Sequence, residues 1–272
     1  MKLSKAQTKK HNMAMDLVES DKPLTIEQKI EVLKNYHPGA SHNVTWNAAF
    51  FTPPGLARDM CIELRDKANK RTLDLCAGIG MLSFYSKLHQ TGWGAEDRGE
   101  YVCIENNPEF VRVGKRIMPE AMWLRADVFD VETYSGLGRF DEVISNPPYG
   151  LKPEIHPEKW LYNVPSQYMV AEIAMKVSNY GVFILAQGDL PFKFSNTNSY
   201  QEVDCAKYNK FHSLTGINFE MNCGLDTGYY SGDWNGLQKM VVEVVLVSKS
   251  EDEEICLLSD IDFRKNKLGK KS

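Results

Sequence analysis

Residues Asn146-Pro147-Pro148-Tyr149 follow the short apolar run Glu142-Val143-Ile144-Ser145 and precede Gly150. The order reads as a rigid, polar, aromatic-tipped loop at the end of a strand. Two prolines fix φ near −65° and remove two backbone donors, so the carbonyls and the Asn146 amide project outward rather than joining a ladder. Such a loop can accept hydrogen bonds from a planar amine. Tyr149 adds an aromatic face beside those acceptors, a combination suited to a flat, nitrogen-bearing group such as an extruded nucleobase. The same four residues also make an ordinary two-proline turn. The elements around them separate the two readings.

Thr72-Leu73-Asp74-Leu75-Cys76 has the pattern of a buried strand, and Ala77-Gly78-Ile79-Gly80 a tight turn into a helix running from Met81 to His89. A strand from Tyr101 to Glu105, a helix from Pro108 to Met118, a strand near Ala121 to Leu124 and the strand Glu142 to Ser145 are expected next. Asn107 is placed to cap the second helix, with Pro108 in its first position, where a missing N–H costs nothing. This β-α-β-α-β succession predicts an α/β fold with a parallel, doubly wound sheet and ligands at the strand C-termini. Acidic residues fall at those termini. Asp74 and the Gly78-x-Gly80 turn close the first strand, Glu105 closes the second, and Asp127 follows the third. Glycines let a ligand approach the backbone, and a carboxylate at the second tip can accept both hydroxyls of a ribose. The turn lacks Gly-x-Gly-x-x-Gly spacing and Asp74 would repel a pyrophosphate, so a cationic cofactor fits better than a dinucleotide.

On these residues the chain resembles the class I S-adenosylmethionine-dependent methyltransferases, and within them the group that methylates adenine N6 in DNA. Asp74 to Gly80 is similar to the family's cofactor loop, Glu105 to its ribose-binding acid, Asp127 to the residue near the cofactor's adenine, and Asn146 to Tyr149 to its catalytic motif. Phe51-Thr52-Pro53-Pro54 resembles the segment that touches the methionine end of the cofactor in adenine DNA methyltransferases. The resemblance implies S-adenosyl-L-methionine as cofactor, held by Phe51, Thr52, Pro53, Asp74, Cys76, Gly78, Gly80, Glu105, Asn106, Asp127, Val128 and Asn146. It implies catalysis by Asn146, Pro147, Pro148 and Tyr149, with Tyr149 and either Trp234 or Tyr230 as walls of the base pocket, and no metal. It also implies a mostly parallel seven-stranded sheet ending in an antiparallel hairpin, near Ile217 to Met221 and Met240 to Val247. Other acceptors share the loop: an RNA base amine, or the glutamine side chain of a release factor. A non-catalytic scaffold subunit would be free to lose either the loop or the acids, and both are intact.

The chain of 272 residues, 43% of them hydrophobic, is long enough to bury a full core. The expected division is an N-terminal helical extension over 1–45, a methyltransferase domain over 46–250 and a tail over 251–272. In the extension, Ile26, Ile30, Val32 and Leu33 make an apolar face behind a Thr25 cap with Gln28 three residues on, and Pro38-Gly39 ends that helix. A further helix is expected from Pro54 to Lys67, introduced by Thr52. Six cysteines without a Cys-x-x-Cys pair read as reduced core residues, and Met1 to Lys10 lacks the apolar stretch of a secretory leader, so a cytoplasmic protein without a membrane span is expected. Net charge is −4, which argues against a surface coated in positive charge and leaves local phosphate contacts open, with lysines and Arg264 clustered toward the two ends. DNA is the expected partner. The stretch after Val247 is too short for a target-recognition domain, so base-sequence choice is assigned to the N-terminal residues, to Leu151 to Pro165 with His156 and Trp160, to Gln187 to Thr215, or to a partner chain or dimer. In the third of these, Lys193, Lys207 and Lys210 alternate with Phe192, Phe194, Tyr200, Tyr208 and Phe211, a pattern suited to strand contacts.

Overall fold

The computed structural model describes residues 3–40, 50–66, 69–90, 99–150, 165–234 and 241–249. Strands β1 (Arg71–Leu75), β2 (Glu100–Glu105), β3 (Met122–Arg125), β4 (Glu142–Ser145), β5 (Tyr180–Ala186), β8 (Ile217–Glu220) and β9 (Val242–Lys249) form one sheet in the order β3-β2-β1-β4-β5-β9-β8. The first five are parallel, and β9 runs antiparallel between β5 and β8. This is the expected doubly wound sheet with its antiparallel end. Two short strands, β6 (Phe192–Lys193) and β7 (Gln201–Glu202), pair separately.

Alternation along the strands sends side chains to opposite faces, and both faces are covered. Cys103, Ile144, Val182, Ile184 and Val244 enter one apolar cluster, while Leu73, Leu75, Val102, Ile104, Val143, Phe183 and Val245 enter the other. Helices α4 (Met81–Gln90) and α5 (Pro108–Ile117) supply the first, and α6 (Ser166–Val177) and α7 (Ala206–Thr215) the second. Asn107 caps α5 through Oδ1, with Pro108 in the first turn.

Helices α1 (Lys5–Val18) and α2 (Ile26–Asn35) each begin with a capping box, Ser4 with Gln7 and Thr25 with Gln28. Ala14, Val18, Val32, Leu33 and Tyr36 belong to the same buried cluster as Phe51 and Phe110, so the extension packs onto the sheet domain. Arg116 of α5 fixes the end of α1, donating to the carbonyls of Val18, Ser20 and Lys22.

The helix expected from Pro54 to Lys67 is shorter. Helix α3 spans Pro54–Asp59 and tightens into a 3-10 turn over Met60–Glu63, leaving Leu64 extended. The reason lies just beyond. The Arg65 N–H donates to Glu142 Oε2 (3.0 Å), and Lys70 Nζ, which also donates to the Arg65 carbonyl, pairs with Glu142 Oε1 at 2.8 Å. Thr72 Oγ1 donates to the same oxygen. These bonds pull the chain out of helical register toward the starting ends of β1 and β4. Thr52 also does not cap α3: Pro53 occupies the cap position without a side-chain bond, and the Thr52 hydroxyl is engaged elsewhere.

The Lys70–Glu142 side chains are 1% and 0% exposed. Removing one partner leaves a buried charge without compensation, which costs about 3–5 kcal/mol. Lys70→Met is therefore expected to lower the urea midpoint sharply, whereas Lys70→Met combined with Glu142→Leu recovers much of the loss. Equal stability of the single variant and the parent would contradict this reading of the pair.

Candidate active site

The chain leaves β1 toward β2 and β3, then returns to lay β4 on the other side of β1. The C-terminal ends of β1 and β4 thus form the switch point, where diverging connections leave a crevice. Hydrogen bonds lace the neighbouring tips together. Ser145 Oγ donates to the Leu75 carbonyl (2.7 Å), the Ala77 N–H to Ile104 (3.0 Å), and the Ala126 N–H to Glu105 (3.1 Å).

Asn146 begins the loop after β4, and its amide is held from both ends. Nδ2 donates to the Phe50 carbonyl (2.8 Å) and to Thr52 Oγ1 (3.0 Å), while Oδ1 accepts from the Tyr149 hydroxyl. A peptide carbonyl can only accept, so exchanging the two amide atoms would set acceptor against acceptor at Phe50, whereas the Thr52 and Tyr149 hydroxyls can donate or accept. One lone pair of Oδ1 is taken by Tyr149, and the second remains for another donor. Burial pushes the Tyr149 phenol far above its ordinary pKa, so it stays a donor at neutral pH. The same hydroxyl lies 3.3 Å from the Ile184 carbonyl, and the ring packs against the core cluster. Pro147 is buried and Pro148 half-buried beside it.

Across the crevice lies the turn after β1. Cys76, Gly78 and Gly80 all have positive φ, at 60°, 56° and 86°. Gly78 is required twice over, because a Cβ there would stand 2.9 Å from Phe51 Cε1. Phe51 therefore lies on the glycine turn, while its neighbours Phe50 and Thr52 hold Asn146. Glu105 clamps the same turn: Oε2 accepts the Gly78 N–H (2.9 Å) and Oε1 the Asn107 N–H (2.8 Å). Asn106 sits between them at the β2 tip. Asp127, exposed at the end of β3, accepts the Phe129 N–H, and buried Val128 gives its carbonyl to Tyr134.

Asp74 lies one residue inside the tip and is 1% exposed. Its Oδ2 accepts both the N–H (3.1 Å) and the hydroxyl (2.6 Å) of Ser83 in the first turn of α4, so it serves the helix N-terminus. Burial raises its pKa to about 7. The Ser83 bonds pull the other way, and the charge of Glu105 adds to the rise.

The β8–β9 connection forms the rim. Tyr230 is turned toward α3, its ring against Gly55 and its hydroxyl donating to Asp59, and half-buried Trp234 packs on the core cluster. The exposed aromatic of this loop is Tyr229, at 85%. The loop is pinned beneath by buried Glu243, which accepts from Gln187 Nε2, from the Phe194 and Ser195 N–H groups and from Ser195 Oγ. That hydroxyl in turn accepts the Thr227 N–H. Of the aromatic rings between Gln187 and Thr215, Phe192 and Phe211 are core, Phe194 and Tyr208 half-buried, and Lys207 is paired with Asp189. Tyr200 is the exposed ring there, so the basic–aromatic alternation chiefly builds the second core layer. His156, Trp160 and the basic C-terminal residues lie outside the described residues.

Sequence reading foresaw Asn146, Tyr149, Glu105 and the glycine turn at one crevice. It missed Phe50, Ser83, Ser145 and Ile184, whose contributions are a backbone carbonyl or a small hydroxyl. Ser83 carried a faint signal, a small polar residue in the first turn of a helix facing a strand acid. Among the described residues no group of His, Cys, Asp and Glu could hold a metal, and no helix is long and apolar enough to cross a membrane. The strand tips thus bring the Asn146 amide to the same end of the sheet as the glycine turn and the carboxylates of Asp74, Glu105 and Asp127.

No protein-family model matches the chain, and no curated protein matches it. Solved structures share its fold. One, from Listeria monocytogenes, is named as a class I S-adenosylmethionine-dependent methyltransferase; it is 13% identical, with 93% of this chain and 83% of that one covered and a TM-score of 0.56. Another, named as the modification subunit of a type I restriction enzyme from Vibrio vulnificus, is 12% identical over 84% of this chain and 50% of that one, also with a TM-score of 0.56. At these identities the likeness is one of fold.

Asp74 gives the site a pH signature. Its carboxyl titrates near 4 when unfolded and at about 7 when folded. Between those values the folded chain keeps a proton that the unfolded chain has lost, so this group's contribution to stability declines as pH rises from about 4 to about 7. Asp74→Asn is expected to lack that decline in urea unfolding followed across the range. A variant whose stability falls as steeply as the parent's would contradict the assignment.

Proposed function

We propose that this chain is an S-adenosylmethionine-dependent methyltransferase that methylates the exocyclic N6 amine of adenine in DNA. The observation that carries the reading is the Asn146 amide, pinned at Nδ2 by Phe50 and Thr52 and presenting Oδ1 at the β1/β4 switch point. A methyl acceptor with a planar NH₂ needs such an acceptor. Its lone pair is delocalised into the ring, and hydrogen bonds from the two N–H groups to Asn146 Oδ1 and the Pro147 carbonyl would localise that pair and shelter the positive charge that develops. No strong base is required. Tyr149 would wall the pocket with its ring while its hydroxyl keeps Asn146 in place, a stacking contribution of about 1–3 kcal/mol that offsets the cost of extruding a base.

The residues opposite suit a cationic nucleoside cofactor. Glu105 fixes the Gly78 and Asn107 N–H groups at the β2 tip, the position at which a carboxylate suits a ribose, and the positive-φ turn at Cys76, Gly78 and Gly80 exposes backbone at close range. Asp127 and Val128 would border the cofactor's adenine, Asn106 would line the ribose side, and Phe51, Pro53 and Asp74 would border the methionine end. Bound there, S-adenosylmethionine supplies an electrophilic sulfonium methyl, so the protein's main contribution is alignment. The fold shared with a protein named as a class I methyltransferase supports the general reading, and the one shared with a restriction-enzyme modification subunit supports DNA.

Asn146→Ala is expected to lower turnover by roughly 10²–10³-fold, the scale for losing a preorganised transition-state partner, while calorimetric affinity for S-adenosylmethionine stays nearly unchanged. Glu105→Ala is expected to weaken that affinity. Retained turnover in the first variant, or unchanged affinity in the second, would count against the roles assigned.

A further inference from the structure

We propose that the first turns of α1 form a phosphate-binding flank beside the crevice, on which Lys5, Lys9 and Lys10 hold the backbone of the DNA whose base is extruded; the inference rests on the DNA reading above. Residues 1–15 contain four lysines and no aspartate or glutamate, in a chain of net charge −4. The positive charge is thus local. Nothing in the helix itself accounts for it. No acid stands in the first turn of α1, the first acid on the helix is Asp16, and cationic side chains near a helix N-terminus oppose the macrodipole.

Packing fixes which end of the sheet these lysines reach. Helix α5 starts just beyond the β2 tip, so its first turn lies at the crevice end and its last turn at the opposite end. Helix α1 runs beside it in the same direction. The His11 ring stands 5.0 Å from Tyr36, which meets Phe110 in the first turn of α5 edge-on at 6.2 Å, while Arg116 in the last turn donates to the carbonyl of Val18. Continuing upstream from His11 at about 1.5 Å per residue, Lys5 lies about 9 Å farther toward the crevice end. Burial marks the overhang: Ala14 and Val18 face the core, whereas Lys10 and Gln7, one and two turns upstream of Ala14 on the same stripe, are exposed and half-buried. Lys5 and Lys9 are exposed on the outer face, where they line a shallow groove with Asn12. The lateral offset is small, because Tyr36 stands 6.0 Å from Phe51, the residue that lies on the glycine turn.

The chemistry of the partner follows from the charges. Carboxylates at the strand tips suit a cationic cofactor and repel phosphate, so affinity for a nucleic-acid strand must come from outside them. Lysine is a flexible point cation that neutralises phosphate without reading bases. Three such cations over the first two turns match a polyanion with closely spaced charges, and each phosphate they neutralise releases bound counterions, which makes the contact salt-dependent. Contacts of this kind place the duplex and leave base choice to other elements.

Fluorescence anisotropy with a labelled duplex of about 20 base pairs, followed between about 50 and 200 mM salt, reads this directly. The slope of log affinity against log salt concentration is expected to become shallower by about 0.9 for each lysine–phosphate contact removed, up to about 2.7 in the variant carrying Lys5→Gln, Lys9→Gln and Lys10→Gln. Its calorimetric affinity for S-adenosylmethionine is expected to stay at the parental value. Lys22→Gln with Lys115→Gln removes charge at the opposite end, where Arg116 holds the Lys22 carbonyl and Lys115 lies in the last turn of α5, and is expected to leave the slope unchanged. A parental slope in the triple variant, or an equal change per lysine in the control pair, would overturn the proposal. So would a triple variant that keeps its duplex affinity and loses only binding to phosphatidylserine–phosphatidylcholine vesicles, or a parent that binds no duplex. A parent that shows the expected change of slope but labels no adenine would remove the methylation reading and leave this flank standing.

Discussion

Two parallel strands that part company at their C-terminal ends set the conditions for everything else in this molecule. Beyond Leu75 the chain turns toward β2, and beyond Ser145 it turns toward β5, so the backbone at both tips has no sheet partner to follow. Buried polar groups must nevertheless be satisfied. Here short side chains do it: Ser145 bonds Leu75, Glu105 bonds Gly78 and Asn107, Ser83 bonds Asp74, and Thr52 with Phe50 bonds Asn146. The opposite ends of the same two strands are fastened by Lys70 and Glu142. A crevice between strands so held at both ends is preorganised, as a reaction that depends on alignment requires.

Much of this was legible from residue order, for physical reasons. Leu73, Leu75, Val102, Ile104 and Val143 are apolar because both sheet faces are covered, and that burial makes parallel strands easy to read. Asn107-Pro108 marks a helix start because neither residue suits a helix interior. Side-chain destinations were less legible. Thr52 before Pro53-Pro54 has the look of a helix cap, but its oxygen goes to a residue far along the chain, a choice set by tertiary packing. The same holds for α3, which a helical pattern extends to Lys67 and which Glu142 shortens by claiming the Arg65 N–H. Rings between Phe192 and Phe211 interleaved with lysines resemble a strand-binding surface, and only their burial reveals that most of them cover the sheet.

The N-terminal extension acquires a role from where it packs. Tyr36 and His11 stand behind Phe51, and Arg116 ties the end of α1 to α5, so the first helices buttress the segment that holds the Asn146 amide. On the other flank, Glu243 gathers the loops carrying Gln187, Ser195 and Thr227 into one rim, with Tyr229 exposed above it. The site thus has a stiff back wall, a stiff rim and a carbonyl oxygen of fixed orientation between them.

The acceptor proposed for that geometry is a planar amine on a base extruded from a strand. The most direct test supplies tritiated S-adenosylmethionine to the protein with double-stranded DNA, single-stranded DNA, RNA and release-factor protein in parallel, then identifies the labelled residue after digestion. The account predicts label in DNA, recovered as N6-methyladenine. Label confined to RNA or to a protein glutamine would contradict it.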